Sequence, residues 1–388
     1  MQTAEVKSKI KHLISKYDEI KSSGLLKKYN EAQTRNEFIE PLFEYLGWDM
    51  RSVNNQGEVT TEESISGGRI DLSFKINGIP KFYLEAKSLS TDLDVDKHAK
   101  QAVNYSWNKG VTWAVLTDFE SVKVLNAQTE SKNLFDKLVF EIPCAEFIDD
   151  YDRLQLLSRE SFKNNALDKY AEKYGKLQKH LTVNEKLFTD LKLARYKLTE
   201  SFKTWNDGKN ITPEELDEGV QRVLDRLIFI RVLEDRNLEP PILKPLLRKF
   251  EENNQIQIFQ LLVKTFRELD ATYNSNLFQK HACEEWEEYS HSTKEVIEML
   301  YGNEMLAYDF KQIPADILGG VYESYLGHIS KKRSGDLVKS ATKRKEHGIY
   351  YTPKYIVDYI VNNTVKDKLK TVKSIGELKR FRVCDPAC

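Results

Sequence analysis

Between Gly67 and Ser88 the chain reads GGRIDLSFKINGIPKFYLEAKS, and here its apolar residues change from helical spacing to strict alternation. Ile70, Leu72 and Phe74 alternate with Asp71, Ser73 and Lys75, Asn77-Gly78 supplies a turn, and Lys81 to Lys87 resumes an extended pattern. This is a β-hairpin. On its second strand Leu84 and Ala86 belong to a core and Tyr83 is left open between the two faces. Glu85 and Lys87 lie two apart, so they share a face and point together toward the strand of Asp71. Two carboxylates and an amine therefore converge.

The rest of the chain surrounds this hairpin with other elements. Ile10, Leu13, Ile14 and Tyr17 recur at helical spacing, and Phe38 to Leu46 gives a second short helix that stops at Gly47. Lys97 to Asn108 is helical, and TWAVLT (112–117) and SVKVLN (121–126) are strands, so the region to about residue 160 is mixed α/β. Beyond it strand signals fade. Leu187, Leu191, Ala194 and Leu198 mark one amphipathic helix, Leu216 to Arg236 a second, and further helical stretches follow through 242–269, 292–301 and on to Gly327. Asp225, Arg226, Arg231, Glu234, Asp235 and Arg236 read as ion pairs on a helix face, and EEWEE (284–288) as an exposed helix face. A basic run between Ser330 and His347 reads as a linker or a phosphate contact.

Composition sets outer limits. With 388 residues, 40% hydrophobic and 31% charged, the chain has material for two or three domains and no bias toward disorder. It has no apolar run of membrane-spanning length and no signal-peptide core, which predicts a soluble intracellular protein without a membrane partner. Cys144, Cys283, Cys384 and Cys388 lack the spacing of a zinc site or a disulfide framework and read as reduced thiols. Lys plus Arg (59) nearly balances Asp plus Glu (60), so any nucleic-acid surface must be local.

Convergent carboxylates and an amine suit phosphodiester hydrolysis. Hard oxygen ligands hold Mg²⁺, which polarises a phosphate and lowers the pKa of attacking water, while Lys87 orients or helps deprotonate that water. The residues resemble the PD-(D/E)xK nuclease superfamily, with Asp71 in the aspartate position, Ile70 in place of the proline, and Glu85-Ala86-Lys87 as the ExK element. The resemblance implies Asp71 and Glu85 as metal ligands and Lys87 as a catalytic residue. Upstream, NEAQTR followed by FIEPLFEYLGWD resembles the first helix of restriction nucleases, where a glutamate completes the metal site; Glu31 is the candidate, with Glu37 and Glu40 as alternatives. Downstream, Gln101 and Tyr105 resemble the QxxxY element of such nucleases, to hydrogen-bond the DNA backbone or steady the lysine.

A second motif stands near the C-terminus. GIYYTPKYIVDYIV followed by VCDPAC resembles the opening of adenine-specific DNA methyltransferases. That resemblance implies that Tyr351, Thr352 and Pro353 border an S-adenosylmethionine pocket and that Asp385, Pro386 and Ala387 begin the turn against which this cofactor packs. The chain stops before the glycines of that turn, and the catalytic Asn-Pro-Pro-aromatic motif is absent, so the expectation is an N-terminal fragment that does not itself methylate.

The order of motifs resembles single-chain type II restriction-modification enzymes. It implies an α/β restriction-endonuclease-like domain over 1–160, an all-α connector over 161–340 and the truncated start of an α/β methyltransferase over 341–388. The expected activity is Mg²⁺-dependent cutting of double-stranded DNA in a bacterial or archaeal cytoplasm, with self-association for double-strand cleavage. Two other readings are a methyltransferase with a non-cleaving, DNA-docking front domain and a non-catalytic subunit of a phage-exclusion system.

Overall fold

A computed structural model of the protein describes residues 3–50, 57–60, 71–131, 133–177, 181–253, 255–289, 291–303, 305–333 and 354–384. Its centre is a six-stranded sheet, β1 (Val59–Thr60), β2 (Leu72–Ile76), β3 (Ile79–Ala86), β4 (Trp113–Thr117), β5 (Ser121–Asn126) and β6 (Leu138–Pro143), lying side by side in that order. Asn77 and Gly78 both take positive φ (52° and 76°), as a two-residue hairpin turn requires, and close β2 onto β3 antiparallel. β3 and β4 pair in parallel, and every other neighbouring pair is antiparallel. The parallel pair demands a crossover, and α4 (Asp96–Asn108) supplies it.

Alternation along β3 sorts its residues between two layers. Phe82, Leu84 and Ala86 join Leu72, Phe74, Val115, Val122 and Val124 in the main core. This core is covered by α1 (Thr3–Ser22) and by a continuous helical run: α2 (Glu31–Thr34), a π-helical turn (Arg35–Ile39) and α3 (Glu40–Tyr45). Phe74 and Phe82 stack at 4.2 Å, with Phe43, Trp48 and Phe162 around them. Burial of each such ring contributes about 1.5–3 kcal/mol. The opposite face takes Tyr83, which packs edge-on against Tyr105 of α4 at 4.9 Å. The residue left open by the sequence thus belongs to the Glu85 face. β1 and β6 were not anticipated; LVFEIP is a short apolar run whose periodicity alone does not separate strand from helix.

The short helix α5 (Leu134–Lys137) joins β5 to β6, and α6 (Tyr151–Leu154), α7 (Arg159–Lys163) and α8 (Ala166–Lys173) lead out of the sheet. After residue 143 the described residues form no strand beyond an isolated bridge between Gly302 and Ala307, and α9 (Val183–Trp205), α10 (Pro213–Asp235), α11 (Leu243–Glu252), α12 (Ile258–Tyr273) and α13 (Ser292–Met299) follow. Thr182 with Glu185 and Thr212 with Glu215 form capping boxes that start α9 and α10. Gly219 of α10 faces Trp286, where a Cβ would fall 2.2 Å from the indole, so only glycine allows this approach.

Two expectations about charge are corrected here. EEWEE is not an exposed helix face: Glu284, Trp286 and Glu288 are buried. Glu284 accepts from Arg226 at 2.9 Å and also meets Arg267, while Glu288 takes the Ser201 hydroxyl and the N–H groups that open α13. Arg226 is fully buried, donating in addition to the carbonyls of Leu277 and Gln279, so its partners come from a distant segment and not from its own helix face. Arg231 does pair along α10, with Glu234 and Asp235, but in the interior. Both networks satisfy charges that would be costly to bury alone.

The chain divides into two compact units, Met1–Ile313 and Pro314–Cys388. Among the described residues the second unit is helical, with helices at Ala315–Arg333, Lys354–Asn363, Val365–Leu369 and Ile375–Arg380. The helix expected to run from Tyr301 begins only at Ala315, because a tight turn with Gly302 at φ 77° occupies the residues between. Cys144, Cys283 and Cys384 are free thiols. No helix among the described residues is long and apolar enough to cross a membrane.

Candidate active site

The register that sets Leu72 against Leu84 brings Asp71, carried one residue further, opposite Glu85. Both carboxylates are buried, at 6% and 2% exposure. Asp71 Oδ2 accepts the Ala86 N–H at 2.8 Å, which fixes its orientation. Lys87 donates to Glu85 Oε1 at 2.5 Å and lies 3.7 Å from Glu31 Oε2. Lys87 thus lies between Glu85 and Glu31, with Asp71 across from Glu85.

Electrostatics follow from burial. Glu85 loses hydration and is pushed up to about 7 despite Lys87 beside it, with Asp71 and Glu31 adding to the rise. Burial likewise raises Asp71, against the pull of the Ala86 N–H and Lys87. For Lys87 burial disfavours the charge, but Glu85, Glu31 and Asp71 outweigh it and hold the ammonium above its ordinary value. The charged form of Lys87 is therefore favoured between Glu85 and Glu31.

The sequence left three glutamates open, and the structure separates them. Glu37 faces α1, accepting from Lys16 at 2.7 Å and Tyr29 at 3.1 Å, and Glu40 pairs with Arg35. Of the three, it is Glu31 that comes within ion-pair reach of Lys87. The buried Thr34 hydroxyl accepts the Leu89 N–H at 3.1 Å, pinning the segment after Lys87 to the helix that bears Glu31.

Gln101 and Tyr105 lie one turn apart on α4. Tyr105 packs on Tyr83, two residues before Glu85 on the same strand face. His98, which the sequence reading passed over, precedes Gln101 by three residues, and its pKa is lowered by burial and then by the Lys87 charge. The shared spacing of His98, Gln101 and Tyr105 along one helix stripe was the available signal. Tyr351, Thr352, Pro353, Asp385, Pro386 and Ala387 lie outside the described residues.

Among the described residues no three His, Cys, Asp or Glu side chains gather closely enough to cage a metal ion. The donor set nevertheless fits Mg²⁺, which needs only one or two carboxylates and keeps several waters. Glu85 Oε2 is buried without a hydrogen-bond partner, an acceptor that a cation would satisfy.

The chain is 30% identical over 98% of its length to the type II restriction enzyme and methyltransferase RM.Eco57I of Escherichia coli. It is 22% identical over 94% of its length to RM.MjaORFECS2P of Methanocaldococcus jannaschii, provisionally named as an enzyme of the same kind. The chain spans 39% and 36% of those relatives' lengths. No protein-family model matches it. No solved structure matches it either.

Proposed function

The chain is a relative of the type II restriction enzyme and methyltransferase fusion proteins, and on that premise we propose that residues 1–160 form a metal-dependent DNA endonuclease. Residues 161–340 are its helical connector, and 341–388 begin an adenine-specific methyltransferase that uses S-adenosylmethionine. The reading rests chiefly on one observation: a buried, unpartnered Glu85 oxygen opposite Asp71, with Lys87 held as a cation between Glu85 and Glu31.

In this reading water attacks phosphorus as the P–O3′ bond breaks, consuming one water and leaving a 5′-phosphate and a 3′-hydroxyl. Bound by Asp71 and Glu85, Mg²⁺ would polarise the phosphate and acidify that water. Asp71 is oriented by the Ala86 N–H, and Glu31 holds Lys87 from the outer side. Lys87, fixed as a cation, orients the water and offsets charge developing on phosphorus. Tyr105 steadies this face of β3 through the Tyr83 contact, and Gln101, one turn earlier on α4, hydrogen-bonds the DNA backbone. Double-stranded DNA is the substrate, the cytoplasm the location, and cutting of both strands calls for self-association.

The test uses full-length protein, supercoiled plasmid and Mg²⁺, with and without S-adenosylmethionine. Wild type should nick or linearise the plasmid, and Asp71→Ala should lower the rate by about 10³-fold or more, in line with loss of metal-assisted catalysis. Methylation without any cutting would instead mark the front domain as a docking unit. Neither activity would favour a non-catalytic assembly role.

A further inference from the structure

Helix α4 returns across the face of β3 that carries Glu85 and Lys87, because a crossover between parallel neighbours runs antiparallel to both. Near its end Tyr105 rests on Tyr83, with ring centroids 4.9 Å apart. From Tyr105 back to His98 the helix rises about 10 Å. From Tyr83 forward to Lys87 the strand advances about 13 Å. The first turn of α4 therefore lies over the Lys87 end of β3, and His98 occupies the stripe that continues through Gln101 to Tyr105.

His98 is half-buried there, within electrostatic reach of Lys87 and Glu31. Burial lowers its pKa first, then the Lys87 and Lys97 cations, against a smaller opposing effect of Asp92 and Glu31. In either protonation state the imidazole presents at least one N–H donor. Asp71, Glu85 and Glu31 repel a phosphate oxygen, and Lys87, drawn toward two carboxylates, reaches the phosphate from the β3 side, which leaves the approach from the first turn of α4 to His98.

We propose that His98 is a catalytic residue that donates a hydrogen bond to a non-bridging oxygen of the phosphodiester being cut. This deepens the nuclease reading and rests on it. The contact completes the donor set around phosphorus from the side opposite the β2–β3 hairpin, and it strengthens as negative charge builds on those oxygens.

The test compares wild type, Asp71→Ala, His98→Ala and His98→Gln as full-length proteins. Cleavage of supercoiled plasmid is followed at saturating protein with Mg²⁺, plasmid affinity is measured with Ca²⁺ in its place, and thermal unfolding is recorded for each. H98A should slow cleavage by about 10²-fold, the scale of one lost transition-state donor, with plasmid affinity and melting temperature unchanged. H98Q keeps an amide donor and should recover at least about tenfold of that loss. A functional wild type and a dead D71A, alongside an H98A that cuts at the wild-type rate, overturn the His98 contact and leave the nuclease reading standing. An H98Q as slow as H98A does the same. If wild type itself fails to cut, the nuclease reading falls and takes this inference with it.

Discussion

Glu85 shows what burial does to a single carboxylate. Its folded pKa, about 7, lies above the ordinary value of 4.5, so the protonated form favours the fold. That contribution is present below the ordinary value and is lost as pH rises through about 7. A divalent cation that takes the proton's place should therefore stabilise the protein most above neutrality. Scanning calorimetry should show a larger rise in melting temperature on adding Mg²⁺ at pH 8 than at pH 6, and a rise that is equal or smaller at pH 8 would contradict metal binding at Glu85. At this scale the sequence was informative where period two applied: Glu85 and Lys87 share a face and pair, and Asp71 lies across from Glu85 on the neighbouring strand. It was silent on His98, whose side chain gains meaning only from what lies beneath it.

Helix α4 connects two environments. Its first turn overlies the candidate site, and its last turn is bonded to the segment 301–309 of the helical region. Asn108 donates to the Ala307 carbonyl at 2.9 Å and accepts the Asp309 N–H at 3.0 Å, and Trp107 lies 5.5 Å from Tyr308. Asn108→Ala strands both backbone groups, which should cost about 1–3 kcal/mol by urea unfolding. A loss under about 0.5 kcal/mol, the usual range for surface changes, would show that water replaces these bonds freely. Helices α9 and α10 were legible because apolar residues such as Leu187, Leu191, Ala194 and Leu198 recur at helical spacing, and the structure adds the capping boxes that start them. β6 was not, since its apolar run carries no local mark of strand over helix, and its neighbour β5 decides the matter by pairing.

Across the whole molecule, the sheet and helices through Ile313 share one compact unit, separate from Pro314–Cys388. A fragment comprising 1–313 should accordingly unfold in one cooperative transition and retain the Mg²⁺-dependent rise in melting temperature. Circular dichroism and calorimetry would settle this; a fragment that is molten or indifferent to Mg²⁺ would place essential packing beyond Ile313. The buried Arg226–Glu284 pair, joined across 58 residues, helps hold the helical region together.

Sequence alone determined the hairpin and the shared face of Glu85 and Lys87, because alternation along a strand is a local property that no later packing can reverse without exposing a core. Only the tertiary structure decided that Glu31, and neither Glu37 nor Glu40, approaches Lys87, since three acids on one helical segment are equivalent until α1 claims one and Arg35 another. It also decided that Arg226 and Glu284 are interior. Ion pairs between distant segments leave no period in the chain, and a charged residue reads as solvated until its partner is seen beside it.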